Sequence, residues 1–205
     1  MLKSNSNAIL RIASVALFFF IWELASSLMS VDLLPSPNDV FLKIIEESKS
    51  SELFFHTFIT LKRVFISFLI AMLVGTFVGI YMGRREKVNV FLDDWLVLGL
   101  NVPALVIIIL CYVWFGLNEL AAIIAVSLNK IPMVAVIMRE GARSIDKDYV
   151  EVGKFYKIDN KKFFFKVIFP QLYPYLLSSA RSGLSLIWKI VLVVELLGRS
   201  NGVGF

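Results

Sequence analysis

Five stretches of this chain are apolar for long enough to cross a lipid bilayer. A spanning helix needs about 20 mostly apolar residues, since backbone groups inside hydrocarbon must be satisfied within the segment. Ile12–Met29 carries one charge, Glu23, while Val64–Met82 and Trp95–Phe115 carry none. Leu120–Met138 carries Lys130, and Leu172–Leu197 carries Arg181, Lys189 and Glu195. Soluble domains average about 45–50% apolar and about 25% charged residues; this chain is 58% hydrophobic and 18% charged. The same richness in Phe, Ile, Leu and Val excludes disorder. The expected fold is all-α, a polytopic membrane bundle of five spanning helices.

Basic residues set the orientation. With the N-terminus inside, thirteen of the 21 Lys and Arg fall on the cytoplasmic side, eight of them between Arg139 and Lys166. Five fall outside (Lys43, Lys49, Lys62, Arg63 and Arg199), beside an acidic stretch of Asp32, Asp39, Glu46, Glu47 and Glu52. That bias places the N-terminus in the cytoplasm. The organisation expected is an uncleaved spanning helix over 1–29, an extracytoplasmic loop over 30–56 and a core over 57–205. Within the core, 139–171 forms a cytoplasmic loop. The basic excess thus reads as topology, with no nucleic-acid partner.

Conventional catalysis has little to work with. Cys111 is the only cysteine and His56 the only histidine. No disulfide within the chain and no His/Cys metal set can be built from them, and no Gly-x-Ser-x-Gly elbow accompanies the histidine. No metal and no cofactor are expected. Intramembrane charges are functional candidates by default. Lys130, Lys189 and Glu195 therefore leave open an intramembrane enzyme built on a buried Lys/Glu cluster, and a lipid-held adaptor is a third possibility.

Three motifs remain. Gly75, Gly79 and Gly83 recur every four residues, so they share one helix face that lets another helix approach closely. Pro103 and Pro132 lie inside spans, where each removes a backbone donor. The stretch from Arg139 to Pro170 is too long for a tight turn. In it, Asp148–Tyr156 reads as a short helix with Asp148 and Glu151 at its start, favourable against the dipole. Tyr149, Val152 and Tyr156 share one face of it. Asp159-Asn160 then reads as a turn or N-cap, and Lys161–Phe169 as a second short helix ending before Pro170.

Glu151-Val152-Gly153, with Ile168-Phe169-Pro170 at the far end, resembles the "EAA" loop of bacterial ABC-transporter permeases. Val152-Gly153 replaces the usual Ala-Ala, and Lys157 stands where the loop glycine is expected. Leu34-Pro35-Ser36-Pro37, Thr60-Leu61-Lys62-Arg63, the glycine series, Val102-Pro103, Trp114-Phe115-Gly116, and Glu195 followed by Gly202-Val203-Gly204 are similar to the nitrate/sulfonate/taurine branch. The resemblance implies a permease subunit in the bacterial plasma membrane, working as a homodimer. Its partners would be an ATP-binding cassette ATPase inside and a solute-binding protein outside. The solute would be a small organic anion or a vitamin precursor. Asp148, Glu151, Val152, Gly153, Tyr156 and Pro170 would couple it to the ATPase. In that family one more spanning helix follows the Gly-x-Gly turn, which implies a helix beyond Phe205, with a five-span variant as the alternative. The chain has no Gly-x-x-x-x-Gly-Lys-Ser/Thr loop, so ATP phosphates would be held Walker-fashion by another chain.

The candidate pathway residues are Lys130, Asn129, Trp188, Lys189 and Glu195. Lys130 leads, because Asn129 and Pro132 add polar and broken-backbone character beside it. Glu195 matches a family glutamate and reads as a gate or packing residue.

Overall fold

The computed structural model describes residues 2–29, 34–49 and 52–205, and among these there is no strand. Asp32 lies outside the described residues. The chain divides into two compact units, 1–55 and 56–205.

In the first unit, α1 (Leu2–Leu28) exposes Phe18, Phe19, Phe20 and Ile21. A helix apolar all round suits lipid. The chain returns along it, with Trp22 Nε1 donating to the Pro35 carbonyl at 3.0 Å and Ser26 Oγ to that of Leu34 at 3.0 Å. The segment read as an extracytoplasmic loop then holds a helix, α2 (Pro37–Lys49). Its start is a reciprocal cap. The Asp39 amide donates to Ser36 Oγ at 3.1 Å, and the Ser36 amide to Asp39 Oδ2 at 3.3 Å. Pro37 occupies the first helical position, where its missing N–H costs nothing.

The second unit holds most of α3 (Glu52–Arg84), then α4 (Glu86–Asn101), α5 (Ala104–Phe115) and α6 (Glu119–Arg143). Among the described residues, three helices are long and apolar enough to cross a membrane: α1 from Ala8, α3 and α6. The third expected span, Trp95–Phe115, is not one rod. It is the junction of α4 and α5, bent by 97° at Val102-Pro103, so together they make a fourth crossing or a re-entrant loop. Pro103 lacks an N–H and drives the residue before it out of the helical region; Val102 has φ −70° and ψ 123°.

The last helix, α9 (Phe169–Gly198), has 30 residues, ample length to span, and carries Arg181, Lys189 and Glu195 along it. Its polar residues gather on one side. The expected break before Pro170 is also absent. A π-helical turn over Phe164–Ile168 links α8 (Asn160–Phe163) to α9 without interruption. Pro170 has no N–H to give, and its ring would crowd the carbonyl four residues back; a π turn widens the helix there.

Helix α6 is the central element, and its small residues set the spacing. Ala121, Ala122, Ala125 and Val126 pack with Val64, Ile108, Cys111, Ile187 and Val191. Farther along, Val134, Met138 and Ala142 pack with Met72, Ile168 and Leu172. Gly75, Gly79 and Gly83 face this helix. A Cβ at Gly79 would collide with the Ala135 carbonyl oxygen and stand 2.8 Å from Met138 Cβ; one at Gly83 would lie 2.6 Å from Ala142 Cβ. Elsewhere α3 is inside out, with Phe65, Leu73 and Phe77 exposed at 61%, 70% and 72%. Apolar exposure on that scale marks a lipid-facing surface.

Candidate functional site

The starts of α3 and α6 and the end of α9 meet at one end of the second unit, around a guanidinium. Arg63 is 2% exposed. Its Nε and Nη2 donate to the two Glu119 carboxylate oxygens at 2.9 and 2.8 Å. Nη1 donates to Glu195 Oε1 and the Asn201 carbonyl, both at 2.8 Å, and Nη2 also to Asn201 Oδ1 at 2.5 Å. All five guanidinium donors are therefore used.

Glu195, fully buried, accepts in addition from Thr60 Oγ1 at 2.9 Å and the Gly204 amide at 2.9 Å. The Val203 amide donates to Thr60 Oγ1 at 2.9 Å and the Gly202 amide to His56 Nδ1 at 2.9 Å. Residues 199–205 thus wrap back over the carboxylate. Gly202 has φ +115°, and a Cβ there would stand 2.5 Å from Glu195 Oε1, so no other residue fits.

Counting Arg63 as an outer-loop charge is therefore a misreading: it is a buried member of α3. Nor do Lys130, Lys189 and Glu195 form one cluster, because Glu195 is taken by Arg63. Lys130 is 7% exposed with no ion-pair or hydrogen-bond partner among the described residues. Asn129 is half-buried, whereas Trp188 and Lys189 lie on the exposed face of α9. The available signal for Arg63 was an arginine three residues after Thr60 on a helix with an apolar continuation. Only the fold supplies its partners, 56 and 132 positions away.

The opposite end carries the helix pair. Arg139 there pairs with Asp93 and Glu140, and Arg143 with Glu140. Beyond it α7 (Lys147–Phe155) is fixed on one side only. Gly153 is buried, and a Cβ there would run into the Phe163 ring; Val150 packs toward Met138 and Leu172. The other side is uncovered, with Tyr149 60%, Val152 50%, Phe155 81% and Tyr156 71% exposed. Asp148, Glu151 and Pro170 are exposed as well.

The Ile158 amide closes the end of α7 on the Gly153 carbonyl at 3.1 Å. Lys157 in between holds φ +47°. That is a Schellman ending, with a lysine at the position where glycine is usual. Asp159 then caps α8 by accepting from the Lys161 and Lys162 amides. It is the N-cap expected from Asp159-Asn160.

These features define a multi-span helical membrane protein with an ion-paired knot at one end of its second unit and an uncovered aromatic helix at the other. Comparison with known proteins narrows the class. Residues 71–205 match the binding-protein-dependent transport system inner membrane component. SsuC of Bacillus subtilis, named for aliphatic sulfonates transport as a permease protein, is 31% identical over 93% of this chain and 70% of its own. TauC of Escherichia coli, a taurine transport system permease protein, is 27% identical over 96% and 74%. CmpB of Synechococcus elongatus, a bicarbonate transport system permease protein, is 27% identical over 96% and 75%. A solved amino acid ABC transporter shares the fold with TM-score 0.59 at 22% identity, over 77% of this chain and 76% of that one. The chain belongs to the family of binding-protein-dependent transport system inner membrane components.

Proposed function

We propose that this chain is one permease subunit of an ATP-driven importer, coupled through α7 to a separate ATPase. The observation that carries this is the division of α7 into a seated and an uncovered side. Gly153 and Val150 fasten it to the bundle, so a push on Tyr149, Val152 or Tyr156 is passed to α6 and α9 through packed side chains. Asp148 and Glu151 add charge at the rim, and Pro170 lies in the first turn of α9, which receives the movement. ATP binding elsewhere would then bias two arrangements of the bundle, as any ligand shifts a two-state equilibrium.

The lysine and arginine bias puts α7 in the cytoplasm together with the N-terminus, so residues 57–205 form the permease core and 139–171 its coupling segment. A plasma membrane placement, a second copy of the chain and an extracytoplasmic solute-binding protein complete the assembly. Relatives named for sulfonates, taurine and bicarbonate make a small anion the favoured solute. Asn129, Lys130, Trp188 and Lys189 are the pathway candidates. Glu195, locked to Arg63, serves the frame.

The test is charge reversal at an exposed position. Glu151→Lys should leave membrane insertion intact and lower ATP-dependent uptake at least tenfold, while hydrolysis by the co-purified ATPase ceases to respond to loaded binding protein. Wild-type coupling in that variant would refute the assignment.

A further inference from the structure

Helices α6 and α9 run antiparallel, which fixes the depth of every charge on them. Gly141 lies against Tyr175, and Ala121, Ala125 and Val126 share a cluster with Ile187, Val191 and Val194. Counting ten residues along each helix from the first contact sets Ile131, the middle of α6, level with Ser185. Arg181 and Lys189 then stand about 6 Å to either side of that level. Both are about 9 Å short of the nearer edge of a hydrocarbon core about 30 Å thick.

Both side chains are exposed and neither is ion-paired among the described residues. They share one face of α9 with Ser178, Ser182 and Ser185, and all of these except Lys189, together with Pro174 and Leu177, border an open hollow of about 770 Å³ on the surface of that helix. Lys130 lies at the same depth. Carboxylates are missing at this level of the second unit. Helix α3 has none after Glu52, α5 none, α6 none between Glu119 and Glu140, and α9 none before Glu195. Asp93 and Asp94 of α4 sit level with Arg139, which Asp93 neutralises, and Glu195 is neutralised by Arg63.

Three cations at mid-depth of the second unit, with no carboxylate of that unit at the same level, make a strongly positive field in a low dielectric. Charge at that depth costs at least about 2.5–3.5 kcal/mol per residue unless water or an opposite charge meets it. Rings of Arg and Lys in pores select anions for the same reason. We infer that the Ser178–Arg181–Ser182–Ser185–Lys189 face of α9 is a water-lined wall that receives a small oxyanion, a sulfonate or carboxylate. Arg181 would supply the paired donors that match a planar oxyanion edge. Ser182 and Ser185 would add hydroxyl donors, and Lys189 the second charge. This deepens the permease reading and rests on it only for the direction of transport.

Thiol labelling separates the two. In a Cys111→Ser background, Ser178→Cys, Ser182→Cys and Ser185→Cys are made in the full chain. They are treated in membrane vesicles with an anionic sulfonatoethyl methanethiosulfonate or a cationic trimethylammonium-ethyl one. Leu73→Cys serves as the lipid-facing control. With each rate divided by the same reagent's rate on a free thiol in solution, the anionic reagent should react at least tenfold faster at the introduced cysteines, and Arg181→Gln with Lys189→Gln should bring the ratio near one. Leu73→Cys should stay unreactive.

Equal rates with both cations intact would overturn the inference. So would protection of all three positions from both reagents, which marks a face packed dry against lipid or a second copy. ATP-driven uptake of labelled taurine in the same vesicles reports on the permease reading. Uptake without charge-selective labelling sinks only the α9 assignment. Charge-selective labelling without uptake of any relative's solute sinks only the importer.

Discussion

The heaviest structural demand in the second unit is the guanidinium of Arg63, and its removal can be worked through. Arg63→Met deletes five hydrogen bonds and leaves Glu195, fully buried, as an uncompensated charge. Breaking a buried pair by removing one partner costs about 3–5 kcal/mol, most of it the stranded charge rather than the lost attraction. For a chain of this length each kcal/mol moves Tm by about 2–4 °C. Arg63→Met should therefore lower the midpoint in detergent by roughly 6–20 °C.

The same reasoning predicts a rescue. In Arg63→Met with Glu195→Gln, no charge is stranded, and the amide oxygen can still accept from Thr60 and the Gly204 amide. The double variant should regain at least half of the loss. Thermal unfolding followed by size-exclusion fluorescence gives both numbers. A single variant within 2 °C of wild type, or a double variant as unstable as the single, would refute the argument.

Two further outcomes follow from backbone and packing. Lys157 holds a left-handed conformation that costs a non-glycine residue about 1–2 kcal/mol. Lys157→Gly should slow hydrogen exchange at Tyr156 and Ile158 about fivefold, a net gain near 1 kcal/mol after glycine's own entropy, and faster exchange would contradict it. Alanine gains about 1 kcal/mol over glycine in a helix, and the surroundings decide whether that gain survives. Gly79→Ala, with no room for a Cβ, should destabilise by 1 kcal/mol or more, whereas Gly183→Ala, with nothing within 4 Å, should stabilise by about 0.5–1 kcal/mol. Equal signs at the two sites in the same unfolding assay would show the packing argument wrong.

Hydropathy blocks were enough to read an all-helical membrane bundle, because a span must satisfy its own backbone and so betrays itself within some 20 residues. Local chemistry was legible for the same reason. The Asp159 cap and the shared face of Tyr149, Val152 and Tyr156 on α7 each depend on residues within one or two turns, whereas α2 and its Ser36–Asp39 cap stand in a segment that read as a loop. Sequence marked Pro103 as an interruption, but the 97° bend between α4 and α5 is a property of how both halves pack on α6. The expected stop at Pro170 became a π turn, because Phe163, Ile168 and Leu172 share one continuous seat against the cluster of Met138 and Ala142 on α6. Above all, the partners of buried charges are a tertiary decision. Arg63 looked like an outer-loop cation and Glu195 like a gate residue or part of a Lys/Glu cluster, yet the fold brings these two, 132 positions apart, into one ion pair and leaves Lys130 and Lys189 unpaired among the described residues. In a low dielectric each charge is held by whatever opposite charge the fold delivers within about 3 Å, and spacing along the chain carries no information about that distance.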